Sequence, residues 1–148
     1  MTAIKTSDLA GAALDWAVAQ CEGEPIRFDP MAIGADSIGP QYWIWDERRG
    51  MGAYRFLRIG GSYNPSRSWT LAGPIIERER IVFLDSSSGV FWDARYTQAL
   101  SACPVIMRGP TPLVASMRCY VAAKLGDAVD VPLGLLGCAN DGGGRRPR

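Results

Sequence analysis

The chain has 148 residues, 47% of them hydrophobic and 21% charged, a balance that excludes both a disordered polymer and a stack of membrane spans. Its 16 basic and 15 acidic side chains leave a net charge of +1. With Arg145, Arg146 and Arg148 set aside, the body through residue 136 is close to neutral, too weak a field for non-specific binding of double-stranded nucleic acid. Histidine is absent, which removes Ser-His-Asp and Cys-His catalysis and every imidazole metal site.

The four cysteines, Cys21, Cys103, Cys119 and Cys138, form no C-x-x-C pair, so neither a zinc ribbon nor a redox motif is written here, and reduced thiols are expected. The first residues, MTAIKTSDLA, lack the basic and apolar regions of a signal peptide, and no window approaches 18 consecutive apolar residues. A cytosolic protein is expected, with no membrane partner and no cofactor.

In chain order, a helix is predicted over 7–22, capped by Thr6 or Ser7, with Asp8 in its first turn and Gly23 as its stop. Asp8, Asp15 and Glu22 recur every seven residues and read as a narrow wet stripe on an otherwise buried helix. Residues 24–41, rich in Pro, Gly and Asp, read as an irregular excursion. Tyr42–Trp45 and Tyr54–Ile59 read as a hairpin, with Trp43 and Trp45 on one face of their strand. A loop over 62–72 carries Tyr63, Arg67 and Trp69, and Gly73-Pro74 is expected to open a short helix with Glu77 near its start. Ile81–Leu84 and Val90–Tyr96 read as a second hairpin. Residues 97–110 stay ambiguous, broken by Pro104 and Pro110. The clearest helix is 111–125, with Thr111 as cap, Pro112 in first position and Gly126 as stop. The expectation is an α+β domain over 1–136, an antiparallel sheet of hairpins packed against two main helices plus one short helix. A Gly/Arg-rich tail over 137–148 is expected to be disordered.

Without histidine, the remaining general bases are Asp, Glu, Lys, Tyr and Cys, and no P-loop, G-x-S-x-G or placed G-x-G-x-x-G is present. Glu77 and Glu79, two apart on a helical turn, point to different faces and make a poor metal pair. Of the basic residues, all but Lys5 and Lys124 are arginine. Arg118, mid-helix among small and apolar residues, needs a partner: a carboxylate such as Asp15 or Glu77, or an anionic ligand. Arg67 lies between Tyr63 and Trp69, where a cation and aromatic rings can clasp a base and a phosphate.

Asp15-Trp16, Tyr63-Asn-Pro-Ser…Trp69, Gly73-Pro74-Ile75-Ile76-Glu77 and Thr111-Pro112-Leu113-x-Ala115-x-Met117-Arg118-Cys119 together resemble the NinX-like family of short bacteriophage proteins, over about residues 3 to 132. The family's middle block often carries an acidic residue before the tryptophan; here Ser68 stands in that place. The resemblance implies phage origin and the cytoplasm of the bacterial host, and brings no established activity.

The reading ranked first is a non-enzymatic binder of a small anionic, nucleotide-derived ligand, with use in sequestering a host immune signal as an anti-defence sponge. Its expected site joins Tyr63, Arg67, Trp69, Gly73, Pro74, Glu77, Arg118 and Asp15, because a helix start beside aromatic rings suits a flat anion. An inhibitor or adaptor docking on a host or phage protein ranks second. An enzyme acting through Asp15 or Glu77 ranks third, and a DNA accessory protein using Arg145–Arg148 fourth. Oligomerisation is left open.

Overall fold

Thr111 begins the central helix, α3 (Pro112–Leu125), by accepting a hydrogen bond from the Val114 amide at 3.2 Å. Gly126, at φ +95°, ends it where an L side chain would be strained. Leu113, Ala115, Met117, Cys119, Tyr120 and Val121 are buried around most of its circumference. Each large apolar side chain so buried contributes roughly 1.5–3 kcal/mol.

The computed structural model describes residues 1–30, 41–47, 55–85, 89–97 and 103–136. The tail expected to be disordered and most of the turn inside the first hairpin lie outside the described residues. In order come β1 (Thr2–Lys5), a 3-10 turn (Thr6–Asp8), α1 (Gly11–Cys21), β2 (Ile26–Asp29), β3 (Gln41–Asp46), β4 (Arg55–Arg58), α2 (Trp69–Glu79), β5 (Val82–Asp85), β6 (Trp92–Tyr96), β7 (Val105–Gly109), α3, β8 (Ala128–Val131) and α4 (Leu133–Leu136). The class is α+β, with antiparallel pairing throughout these strands. The strands fall into three sheets, ordered β1-β8, β2-β3-β4 and β5-β6-β7.

Helix α3 lies on β6 and β7 and is flanked by α1 and α2. Gly109 permits that approach, since a Cβ there would come within 2.6 Å of the Ala115 amide. The β2-β3-β4 sheet turns Ile26, Ile44 and Leu57 inward in one cross-strand row, with Ile44 fully buried. The opposite face carries Arg27, Trp43, Trp45 and Phe56.

Four readings need correction. The first helix begins at Gly11, not at residue 7, because Leu9 and Ala10 are extended. Thr6 is no cap for it: its Oγ1 donates to the Gly126 carbonyl at 2.6 Å and its amide to Asp127 at 2.8 Å. The middle helix starts at Trp69, four residues before Gly73, so Gly73 and Pro74 sit inside it and form no helix start. Pro74 faces solvent, where the Thr70 carbonyl that loses its partner can be hydrated. That makes α2 a third full helix of 11 residues, with α4 as the short one. The 24–41 segment, expected to be irregular, contributes β2, and the ambiguous 97–110 segment contributes β7.

Candidate ligand-binding site

The structure separates the expected site residues into four settings, the fourth being Arg118 on α3. Asp15 and Tyr63 are sealed in the interior. Trp69, 55% exposed, sets its ring edge-on against Phe83 with centroids 5.9 Å apart. Arg67 is exposed and donates to the Gly60 carbonyl at 2.9 Å. Gly73, Pro74 and Glu77 lie along α2, with Pro74 and Glu77 exposed.

Asp15 does not belong to a wet stripe, because it has no exposed surface. Its Oδ1 accepts the Ser66 amide at 2.8 Å, fastening the loop after β4 to α1. Asp15 Oδ2 and the Ser66 hydroxyl are buried without a hydrogen-bond partner among the described residues. Burial pushes the carboxyl up from the ordinary 3.8 to about 6, against the pull of the Ser66 amide and the Arg67 charge. The contact holds two blocks of the chain together, sealed from water.

Arg118 pairs with neither Asp15 nor Glu77. Its Nε donates to the Leu9 carbonyl at 2.8 Å and its NH1 to the Arg108 carbonyl at 2.7 Å. Burial lowers its pKa while the Asp8 charge raises it, with a net decrease. Main-chain oxygens thus satisfy the guanidinium without a second buried charge. Trp69 and Arg118 share no partner: one meets β5, the other ties the segment before α1 to the end of β7.

A polar network closes the other end of the helices. Arg78 NH2 donates to Glu22 Oε1 at 2.6 Å and to the Tyr120 hydroxyl at 3.2 Å, and its Nε donates to Glu79 at 3.1 Å. The Tyr120 hydroxyl donates to Glu22 at 2.7 Å, and the Tyr96 hydroxyl to Glu79 at 2.6 Å. Burial raises Glu22, but hydrogen bonds from Arg78 and Tyr120 outweigh it and hold the carboxyl below its usual range. These groups satisfy one another, so the network joins α1, α2, β6 and α3.

A cavity of about 520 Å³ opens on the outer face of the β2-β3-β4 sheet, lined by Arg27, Phe28, Asp29, Pro30, Trp43, Trp45 and Phe56. Its size falls within the usual range for small-molecule sites, roughly 300–1,000 Å³. Trp45 and Phe56, paired across β3 and β4, have ring centroids 4.3 Å apart. The Arg27 guanidinium carbon lies 5.1 Å from the centre of the Trp45 ring. The Trp45 indole N–H donates to Glu47 Oε1 at 2.6 Å, and Arg27 NH1 lies 4.0 Å from the same oxygen. The sequence puts Trp43 and Trp45 on one face without naming the other residues that meet them there. The signal was the two-residue spacing of the tryptophans; what it lacked was the register that adds Phe56 and Arg27.

Among the described residues no group of three or more metal-ligating side chains occurs, and no helix is long and apolar enough to cross a membrane. Cys21 and Cys119 are free thiols. A search of the curated proteins finds no match. The family model described as Bacteriophage P22, NinX matches residues 5–124, a span that holds the aromatic cavity, the Asp15–Ser66 contact and Arg118. The chain therefore belongs to this NinX family of phage proteins.

Proposed function

We propose that the protein is a non-enzymatic binder of a small, planar, anionic ligand of nucleotide type, held in the aromatic cavity of the β2-β3-β4 sheet. The carrying observation is the outward face itself: Trp43, Trp45 and Phe56 line a cavity beside Arg27. Indole and phenyl faces stack a heterocycle at roughly 1–3 kcal/mol per base, and a guanidinium answers a phosphate. A near-neutral body suits a small ligand better than a long nucleic acid. In the host-cell cytoplasm, a phage protein of this kind lowers the free concentration of a nucleotide signal and blunts the defence that reads it. Isothermal titration against mononucleotides, cyclic dinucleotides and ADP-ribose tests the proposal. Micromolar or tighter binding of at least one, lost in Trp45→Ala, is expected; no heat with any of them overturns it.

A second reading, docking on a host or phage protein, is favoured by the outer face of β5-β6-β7. Val82, Leu84 and Ile106 are exposed there, with Phe91 beside them. Apolar side chains grouped on a solvated face mark a contact surface. A dominant partner that survives nucleotide removal and is lost with Ile106→Glu supports this reading.

A further inference from the structure

The two tryptophans of β3 share the cavity wall but differ in what their ring N–H groups meet. Trp43 Nε1 is buried without an acceptor among the described residues. Trp45 Nε1 donates to a carboxylate, Glu47 Oε1, and Arg27 reaches toward that same oxygen from β2. One negatively charged oxygen thus sits where an indole donor and a guanidinium converge beside the stacking face. Both charged side chains are exposed, Arg27 at 60% and Glu47 at 52%, and Glu47 stands at the end of β3 and outside the cavity lining.

We infer that the Arg27 guanidinium and the Trp45 indole N–H form the subsite for the ligand's anionic group, and that Glu47 fills it as an internal anion until the ligand displaces it. The inference rests on the reading that this cavity takes a planar anionic ligand, and it adds where the charge goes and what it competes with. An exposed ion pair at 4.0 Å contributes little, so Glu47 is easily displaced. A phosphate brings more charge and several acceptor oxygens to the same two donors, which favours the exchange. Asp29 lines the cavity two residues further along β2 and repels an anion at its own end. The ligand's charge is thereby confined to the Arg27–Trp45 end, and the ring lies over Trp45 and Phe56.

Titrating AMP and adenosine into the full-length wild type, Glu47→Ala and Arg27→Ala proteins, followed by tryptophan fluorescence at fixed low salt, tests this. Glu47→Ala should bind AMP about five-fold tighter than wild type, in line with loss of a surface ion pair, with adenosine affinity unchanged. Arg27→Ala should lose the preference for AMP over adenosine. Melting temperatures close to wild type show that both variants fold. If wild type binds both compounds but Glu47→Ala binds AMP no tighter, or tightens on both equally, Glu47 is not a competing anion and the cavity assignment survives. If neither compound binds any of the three proteins, the subsite assignment falls, and the titrations with cyclic dinucleotides and ADP-ribose decide whether the cavity assignment falls with it.

Discussion

The loop from Tyr63 to Trp69 and the outer face of the β2-β3-β4 sheet have similar ingredients: aromatic rings, an arginine and a neighbouring carboxylate. They put them to opposite uses. In the loop, Tyr63 is turned inward, Asp15 is buried against the Ser66 amide, and Arg67 reaches back to Gly60, so the polar groups are consumed in holding β4 and α2 against α1. On the sheet, alternation sends Ile44 to the core and leaves Trp43 and Trp45 on the far side, where a cavity opens over them. Composition therefore does not distinguish a joint from a site. What distinguishes them is access to water: Asp15 and Tyr63 are sealed inside, whereas Arg27 and Glu47 stand exposed beside the cavity.

The largest effect expected of this contrast is at Gly60. Its φ of +83° and the 2.6 Å that would separate an added Cβ from Ala12 Cβ leave no room for a side chain. Gly60→Val should cost about 3 kcal/mol of stability in urea unfolding. A variant as stable as wild type would show that the loop is not a tight joint.

Almost as large is a pH dependence centred on Asp15. Its folded-state pKa of about 6 exceeds the 3.8 of an ordinary aspartate, so the folded chain holds the proton more tightly than the unfolded one. The associated stability is complete below about pH 4 and is lost as pH rises through about 6. By linkage it amounts to at most about 3 kcal/mol. Unfolding midpoints across pH 4–8 should show this decline in wild type. Asp15→Asn, which keeps an acceptor for the Ser66 amide, should flatten it. A wild-type profile without the decline would place Asp15 in a wetter setting than the structure gives it.

On the sheet the expected signs reverse, with function falling further than stability. Trp45→Ala should weaken nucleotide binding at least about ten-fold while lowering stability by about 1–2 kcal/mol, since one side of the ring already faces the cavity. Equal losses in both measurements would make Trp45 a core residue. The smallest effect belongs to Trp69→Ala. With 55% of its surface exposed and one edge contact to Phe83, it should cost less than about 1 kcal/mol. It should also leave titrations with the same nucleotides within two-fold of wild type; a larger loss would return the site to the loop.

Much of the fold was legible where local signals agree. Thr111, Pro112 and Gly126 bracket α3 as their chemistry requires, and both hairpins stand where alternating apolar residues placed them. Legibility failed where a long-range partner overrides a local cue. Thr6 has the chemistry of a cap, but its hydroxyl goes to Gly126, 120 residues away. Pro74 has the chemistry of a helix start, yet the turn beginning at Trp69 carries the chain past it. Asp15 fits a seven-residue stripe, and only the Ser66 amide, 51 residues distant, explains why it is buried. The candidate site was half legible: the spacing of Trp43 and Trp45 gives an aromatic face, but Arg27 and Phe56 join it through register, which spacing within one strand does not encode.

The pairing of β1 with β8, reinforced by Thr6 on Gly126 and Asp127, joins residues 2–5 to residues 128–131. While the ribosome is still adding residues before 128, the first strand has no edge to dock on. The opening of α1 also lacks Arg118 on the Leu9 carbonyl until α3 has been made. The closing step of maturation therefore waits until residues 126–131 have been made, and contacts of such long sequence separation form slowly. Nascent chains halted before residue 128 should be cut readily by proteases at the first strand, whereas chains carried past residue 131 should resist.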